Sequence, residues 1–283
     1  MTQFAKSVVL GRSGISVGPL GVAGGYGVPT NALREAFERG VNYWYHGSRR
    51  AGGMSRAIHE IVKSGQRDKL VVVLQSYSRW PSITEKTFSA GLKALRLDYA
   101  DVLLLGWFNG MPSRKVLDGV RALRDRGLCR YVAISSHHRP AFVDFEKDDL
   151  FSVFHIRYNA AHTGAEKDVF PHIPVERRPG TVAYTATRWG DLFKASKMPP
   201  GETPLRGRDA YRFVLSNPDF NVCMTGPSNA EQMREALAAL DEGPLTPEEN
   251  ERFRRIGRHI RGKDTLGNIK DSRELLVVHG GVG

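Results

Sequence analysis

The segment Leu70–Leu105, LVVVLQSYSRWPSITEKTFSAGLKALRLDYADVLLL, decides the architecture. It opens and closes on the apolar runs LVVVL and DVLLL, in which hydrophobic residues follow one another without alternation. Strands of that kind are covered on both faces, as in a parallel sheet. Between them, Ser82–Leu95 reads as the helix that a parallel crossover requires.

The same unit repeats in both directions. Toward the N-terminus lie strands Pro19–Ala23 and Asn42–Tyr45 and helices Thr30–Gly40 and Gly53–Ser64. In the first helix Leu33, Ala36 and Phe37 share a face, and Gly40 stops it. Toward the C-terminus, helix Ser113–Arg126 leads to strand Cys129–Ser135, then a weak helical stretch over Pro140–Asp148. Strand Val153–Arg157, helix Ala165–His172, strand Gly180–Ala186, helix Arg208–Leu215, strand Asn221–Thr225 and helix Ala230–Leu240 complete the series. Strict alternation over eight strands predicts an α/β fold, a (β/α)₈ TIM barrel. An open doubly wound sheet is disfavoured, because no G-x-G-x-x-G follows the first strand. Ahead of the barrel, Ser7–Leu10 and Ile15–Val17 flank Gly11-Arg12-Ser13-Gly14, the pattern of a β-hairpin. Behind it, a C-terminal helix carries Arg252, Arg254, Arg255, Arg258, Arg261 and Lys263, read as a solvated face. The expected organisation is one barrel over residues 1–262 and a tail over 263–283. The tail either lacks structure or folds back over the barrel mouth.

The totals agree with this. A chain of 283 residues suits one barrel with extensions. No run approaches the ~20 apolar residues of a membrane span, and the N-terminus lacks the pattern of a signal peptide. Cys129 and Cys223 lie in predicted strands without metal spacing, which points to two buried free thiols and a cytoplasmic protein. The net charge is +11, spread along the chain without a basic tail or a nucleic-acid motif. That balance favours a small anionic ligand over nucleic acid or membrane.

Several motifs in order resemble the aldo-keto reductases. LGRSGISVGPLGVAGG is similar to the family's opening hairpin and first strand, and GVNYWYHGSRRAGGMSRAI has the frame of its second-strand motif. RLDYADVLLLGW, RYVAISS, FHIRYN and VAYTATRWGDL resemble strands four to seven. RFVLSNPDFNVCMTGPSNAEQMREALAAL resembles the last strand and its phosphate-binding helix. The resemblance runs from about Val9 to about Leu240. It implies the barrel fold and a nicotinamide dinucleotide, NADP or NAD.

It also implies where the family's catalytic aspartate, tyrosine, lysine and histidine would stand. Those positions fall on Tyr45, Arg50, Gln75 and Gly106. Arginine cannot give up a proton near neutral pH, glutamine carries no charge, and glycine has no side chain. The expected catalytic set is therefore Tyr45, Arg50 and Gln75. In that reading, positive charge at Arg49 and Arg50 lowers the Tyr45 pKa, and Arg50 holds an oxyanion or carboxylate. The bland alternative is that Tyr45 fills volume and Arg50 lies on the rim.

The resemblance places cofactor contacts at Ser135 and His155 for the nicotinamide amide, Tyr184 under its ring, and Thr185 near the pyrophosphate. It adds Gly226, Ser228 and Asn229 in the phosphate turn, with Gln232 and Glu235 on the adenosine side. A basic residue is missing at Ser228 and an asparagine at Ala236, which leaves NADP against NAD open. No H-x-x-x-H or H-E-x-x-H spacing supports a metal site. Arg49, Arg50, Arg139, Arg157 and Arg188 all fall at the predicted mouth, with Trp80, Trp107 and Trp189 as candidate apolar walls. The expected function is an atypical oxidoreductase acting on a small, anionic carbonyl or alcohol. The alternatives are an inactive ligand-binding barrel or a non-redox enzyme on the same pocket.

Overall fold

A computed structural model describes residues 4, 6–48 and 50–263. The expectations for Arg49 and for the tail over 264–283 lie outside the described residues.

Eight strands close on themselves. They are β3 (Leu20–Ala23), β4 (Tyr43–His46), β5 (Val71–Ser76), β6 (Ala100–Leu105), β7 (Cys129–Ser136), β8 (Phe151–Arg157), β9 (Gly180–Tyr184) and β10 (Val222–Thr225). They pair in parallel in sequence order, and β10 returns to β3 through Met224 opposite Gly21. The period of two along each strand divides the core into two layers. On β4, Tyr43 belongs to the inner cluster with Val73, Val102, Val153 and Val182, whereas Trp44 faces the helix layer with Leu33, Met54 and Ile58.

The outer layer is α1 (Thr30–Glu38), α2 (Gly52–Lys63), α3 (Pro81–Leu95), α4 (Arg114–Asp125), α5 (Ala141–Phe145), α6 (Ala165–Asp168), α7 (Gly207–Leu215), α8 (Ala230–Glu242) and α9 (Pro247–Lys263). Three stretches are shorter than the sequence predicts. Pro140–Asp148 yields only the five-residue α5. The helix expected over Ala165–His172 stops at Asp168, and Pro171 follows in a 3-10 turn. Strand β9 ends at Tyr184 because Thr185 turns to φ 58°.

The hairpin predicted at the N-terminus is present, with β1 (Val8–Val9) and β2 (Ser16–Val17) antiparallel. It closes the barrel floor: Leu10 and Val17 join the inner cluster. Arg12 in its turn donates to the Phe151 carbonyl at 3.1 Å and the Asp148 carbonyl at 2.9 Å. Both cysteines are buried and free, as expected. Among the described residues no helix is long and apolar enough to cross a membrane.

The basic run on α9 is exposed at Arg255, Arg258 and Arg261, and most of it is also ion-paired. Arg252 and Arg255 pair with Glu202, Arg254 with Glu166, and Arg258 with Glu251. The pairs to Glu202 and Glu166 tie the helix to the barrel, and Gly257 lets it approach closely. A Cβ there would fall within 2.7 Å of Ala161 N and nearer still to the Ala160 carbonyl. Gly257→Ala should therefore cost ~1–3 kcal/mol in urea unfolding through overpacking. Gly262→Ala, with nothing within 4 Å of the added methyl, should leave the midpoint unchanged or slightly raised.

Candidate active site

The barrel directs the C-terminal ends of its strands to one face, where barrels carry their chemistry. Aromatic side chains crowd that face, and three glycines make room for three tyrosine rings. A Cβ on Gly226 would meet the Tyr26 ring at 2.8 Å, and one on Gly106 would meet the Tyr77 ring at 2.6 Å. One on Gly47 would overlap the Tyr45 ring. The absent side chain at Gly106 is thus replaced in space by Tyr77 and the Gln75 amide.

Tyr45 and Gln75 are brought together as the sequence suggested: the Tyr45 hydroxyl donates to Gln75 Oε1. Tyr77 joins them, its hydroxyl hydrogen-bonded to both Tyr45 and Gln75. The electrostatic expectation for Tyr45 does not hold. Burial pushes its pKa well above the ordinary phenol value, and the neighbouring Tyr77 and Tyr26 push it further. Arg50 is exposed on the loop after β4 and is not among the groups acting on Tyr45. Desolvation of a phenolate outweighs a cation that stays in solvent. Tyr77 is half-buried and is pushed up to about 12, with burial raising it and the bonds from Tyr45 and Gln75 lowering it.

A strained strap fixes the neighbouring wall. Trp107, just beyond β6, has φ 58°. Its N–H donates to Ser135 Oγ at 3.1 Å, and its carbonyl accepts from Arg79. Arg79 also donates to the Gly106 carbonyl at 3.1 Å and lies 3.6 Å over the Phe108 ring. The Trp107 ring then meets Tyr77 on one side and His137 on the other, each at 5.3 Å between centroids. Four of the five non-glycine residues with positive φ, namely Trp107, Thr185, Arg188 and Trp189, lie just past β6 and β9. Such strain gathers where surrounding structure fixes a functional geometry. Trp189 stands at the exposed edge, and Trp80 is largely in solvent at the start of α3.

The residues assigned to the nicotinamide differ in how free they are. Ser135 Oγ accepts from Trp107 and keeps its own proton to donate. His155 Nε2 lies 2.8 Å from Tyr43 Oη inside the barrel, and burial pushes the ring down to about 3, so the imidazole is neutral. Tyr184 ends β9 with its hydroxyl enclosed and without a hydrogen-bond partner among the described residues. Burial raises its pKa, opposed by Arg157. Thr185 Oγ1 donates to the Tyr184 carbonyl at 2.7 Å, while its own carbonyl accepts from the buried Asn159 at 2.8 Å.

The phosphate turn is internally capped. Asn229 Oδ1 accepts from Gln232 N at 2.9 Å. Gln232 Oε1 accepts from Ser228 N at 2.8 Å and from its hydroxyl at 2.9 Å. Glu235 makes a paired contact with Arg208 at 2.9 and 2.7 Å, which lowers its pKa, and Arg208 also reaches Glu242 at 2.7 Å. The adenosine side is therefore charge-matched between α7 and α8.

Of the arginines expected at the mouth, Arg139 pairs with Asp168 at 2.7 Å, and the buried Arg188 donates to His162 Nδ1 at 2.9 Å. Arg157 acts on Tyr184, His137 and His162 alike. Burial and the surrounding arginines push His162 down to about 3. Sequence reading assigned no role to Tyr26, Tyr77, Arg79 or His162. Tyr77 was accessible in principle, since it stands two residues beyond Gln75 and so on the same side of the chain. Open clefts of about 450 Å³ lie beside Pro140, Lys167 and His172, and of about 730 Å³ beside Met111, Arg121 and Lys147. Among the described residues no group of three or more His, Cys, Asp or Glu could hold a metal ion.

No protein-family model matches the chain, and no curated protein does. Solved structures do. The apo form of the aldo-keto reductase AKR11C1 from Bacillus halodurans matches with a TM-score of 0.71 at 18% identity, over 89% of this chain and 95% of that one. Its holo form matches with a TM-score of 0.73 at 19% identity, over 89% and 96%. The resemblance read from the motifs is thus borne out at the level of architecture: the chain is built on the closed eight-stranded barrel of the aldo-keto reductases.

Proposed function

We propose that this protein is an atypical NAD(P)(H)-dependent oxidoreductase acting on a small anionic carbonyl or alcohol. One observation carries the reading. The Tyr184 hydroxyl is enclosed at the end of β9 and has no hydrogen-bond partner among the described residues. An unsatisfied buried group costs about 1–3 kcal/mol, and a cost of that kind is kept where a residue serves something other than stability.

The residues around it fit a dinucleotide. Tyr184 offers a ring face for a nicotinamide, and the Ser135 proton is available to a carboxamide. The turn Gly226–Asn229 and the first amides of α8 offer donors and a favourable dipole to a pyrophosphate. Gln232 would swing off Ser228 to admit it. When bound, reduced nicotinamide supplies a hydride to a carbonyl carbon. Tyr45 and Gln75 hold a hydrogen-bonded polar floor beside that position. Arg50, exposed on its loop, offers positive charge to a substrate carboxylate. A second reading, a ligand-binding barrel without turnover, is favoured by the way Tyr45, Gln75 and Tyr77 bond to one another and fill the mouth.

Titration with NADPH, followed by tryptophan fluorescence or calorimetry, tests the proposal. Saturable binding is expected, and Tyr184→Ala should weaken it about tenfold, or ~1.4 kcal/mol. A flat titration contradicts the proposal. Arg208 is matched by Glu235 and Glu242, and a serine occupies position 228. Among the described residues no cation is set aside there for a 2′-phosphate, so NADH should bind within about tenfold of NADPH. A preference for NADPH well beyond that would refute the charge-matching argument.

A further inference from the structure

We infer that Tyr77 is the residue that exchanges a proton with the substrate oxygen, with Tyr45 and Gln75 as its positioning residues. The inference rests on the oxidoreductase reading above. Tyr77 follows β5 directly, on the side of the chain that Gln75 occupies. The Tyr45 hydroxyl gives its proton to Gln75 Oε1, and Tyr77, half-buried, is hydrogen-bonded to both residues. Its ring fills the space that any side chain at position 106 would take, and its edge is braced by Trp107 at 5.3 Å. Trp107 is in turn held by Ser135 and Arg79. The hydroxyl therefore has a fixed position with two polar neighbours behind it.

The other titratable groups at this face serve less well. Arginine holds its proton throughout. His155 is engaged with Tyr43, and His46 Nε2 lies 2.9 Å from Ser55 Oγ. His137 is pushed down to about 4 by burial and by Arg157, so it is neutral and a poor acid at neutral pH. Tyr184 has an enclosed hydroxyl beside the proposed ring site. Tyr77, at about 12, stays protonated through the neutral range. It still gives its proton downhill to a developing alkoxide, whose basicity is near that of hydroxide (water pKa about 15.7).

The step balances as follows. The carbonyl carbon gains a C–H bond from the hydride of the bound reduced nicotinamide, which is oxidised. The C=O π pair moves onto oxygen, where an O–H bond forms as the Tyr77 O–H breaks. The Tyr45 hydroxyl then turns from Gln75 to the Tyr77 phenolate, the Gln75 amide donates to it as well, and solvent returns the proton. Alcohol oxidation is the reverse.

The test uses the full-length protein with NADPH and two probe aldehydes, para-carboxybenzaldehyde and para-nitrobenzaldehyde. Tyr77→Phe should bind NADPH within twofold of the parent and lose about 10²–10⁴-fold in kcat. Gly106→Ala, which drives a methyl into the Tyr77 ring, should lose kcat with the tyrosine still present. Tyr45→Phe should lose less and move the alkaline limb of the rate profile upward, because a bond favouring the Tyr77 phenolate is gone. Parent kcat should be flat between about pH 6 and 9, well below the Tyr77 value. An ultraviolet difference titration of the unliganded proteins gives a readout independent of turnover. One tyrosinate transition should vanish in Tyr77→Phe and move up in Tyr45→Phe. Turnover by Tyr77→Phe within threefold of the parent overturns the assignment, as does bound NADPH with neither aldehyde reduced. Failure of the parent to bind NADPH overturns the oxidoreductase reading beneath it.

Discussion

A phenol enclosed at the top of a barrel must place its proton somewhere, and most of this mouth follows from where Tyr45 places its own. The acceptor is Gln75 Oε1. A lysine or other cation at position 75 could not accept, and would instead draw the phenol toward ionisation. With glutamine there, burial prevails, and Tyr45 becomes a neutral donor held in one orientation. The Gln75 amide spans two phenols, accepting from Tyr45 and bonding to Tyr77. The missing side chains at Gly47 and Gly106 are what let the two rings lie beside that amide. Residues that look like losses in sequence are, in three dimensions, the spaces that a tyrosine network occupies.

The fold was largely legible in the sequence, because burial on both faces of each strand leaves an unmistakable mark. LVVVL and DVLLL became β5 and β6, and the hairpin around Gly11–Gly14 became the barrel floor. Misses occurred where local backbone chemistry overrides apolar pattern: Pro171 broke a helix, and Thr185 ended β9 early by entering the left-handed region. The site was legible in part. Strand ends followed from the apolar pattern, and Tyr45 and Gln75 were singled out by what the family resemblance implies. The pKa direction of Tyr45 did not, since sequence proximity to Arg50 says nothing about whether the guanidinium stays in solvent. Long-range pairings were also invisible, among them Glu235 with Arg208 and the α9 arginines with Glu166 and Glu202.

Energetically, the mouth contrasts sharply with the adenosine side. Around Arg208, every charge has a partner and the helices α7 and α8 are joined by it. Around Tyr184, a hydroxyl is left unsatisfied, and nearby residues adopt strained backbone conformations. Structural surfaces settle their polar groups internally, whereas binding surfaces leave some for a ligand. That contrast, more than the family likeness, is why the β6–β9 quadrant is the place to look for chemistry.

On the proposed reading, a bound dinucleotide lies between the Tyr184 ring and the Tyr77 hydroxyl. A crystal structure of the protein soaked with NADPH measures this directly. The account requires the nicotinamide ring to lie against Tyr184, with its reactive carbon on the side open to Tyr77. Density placing the ring elsewhere on the barrel, or directing its reactive face toward a different proton donor, would contradict it.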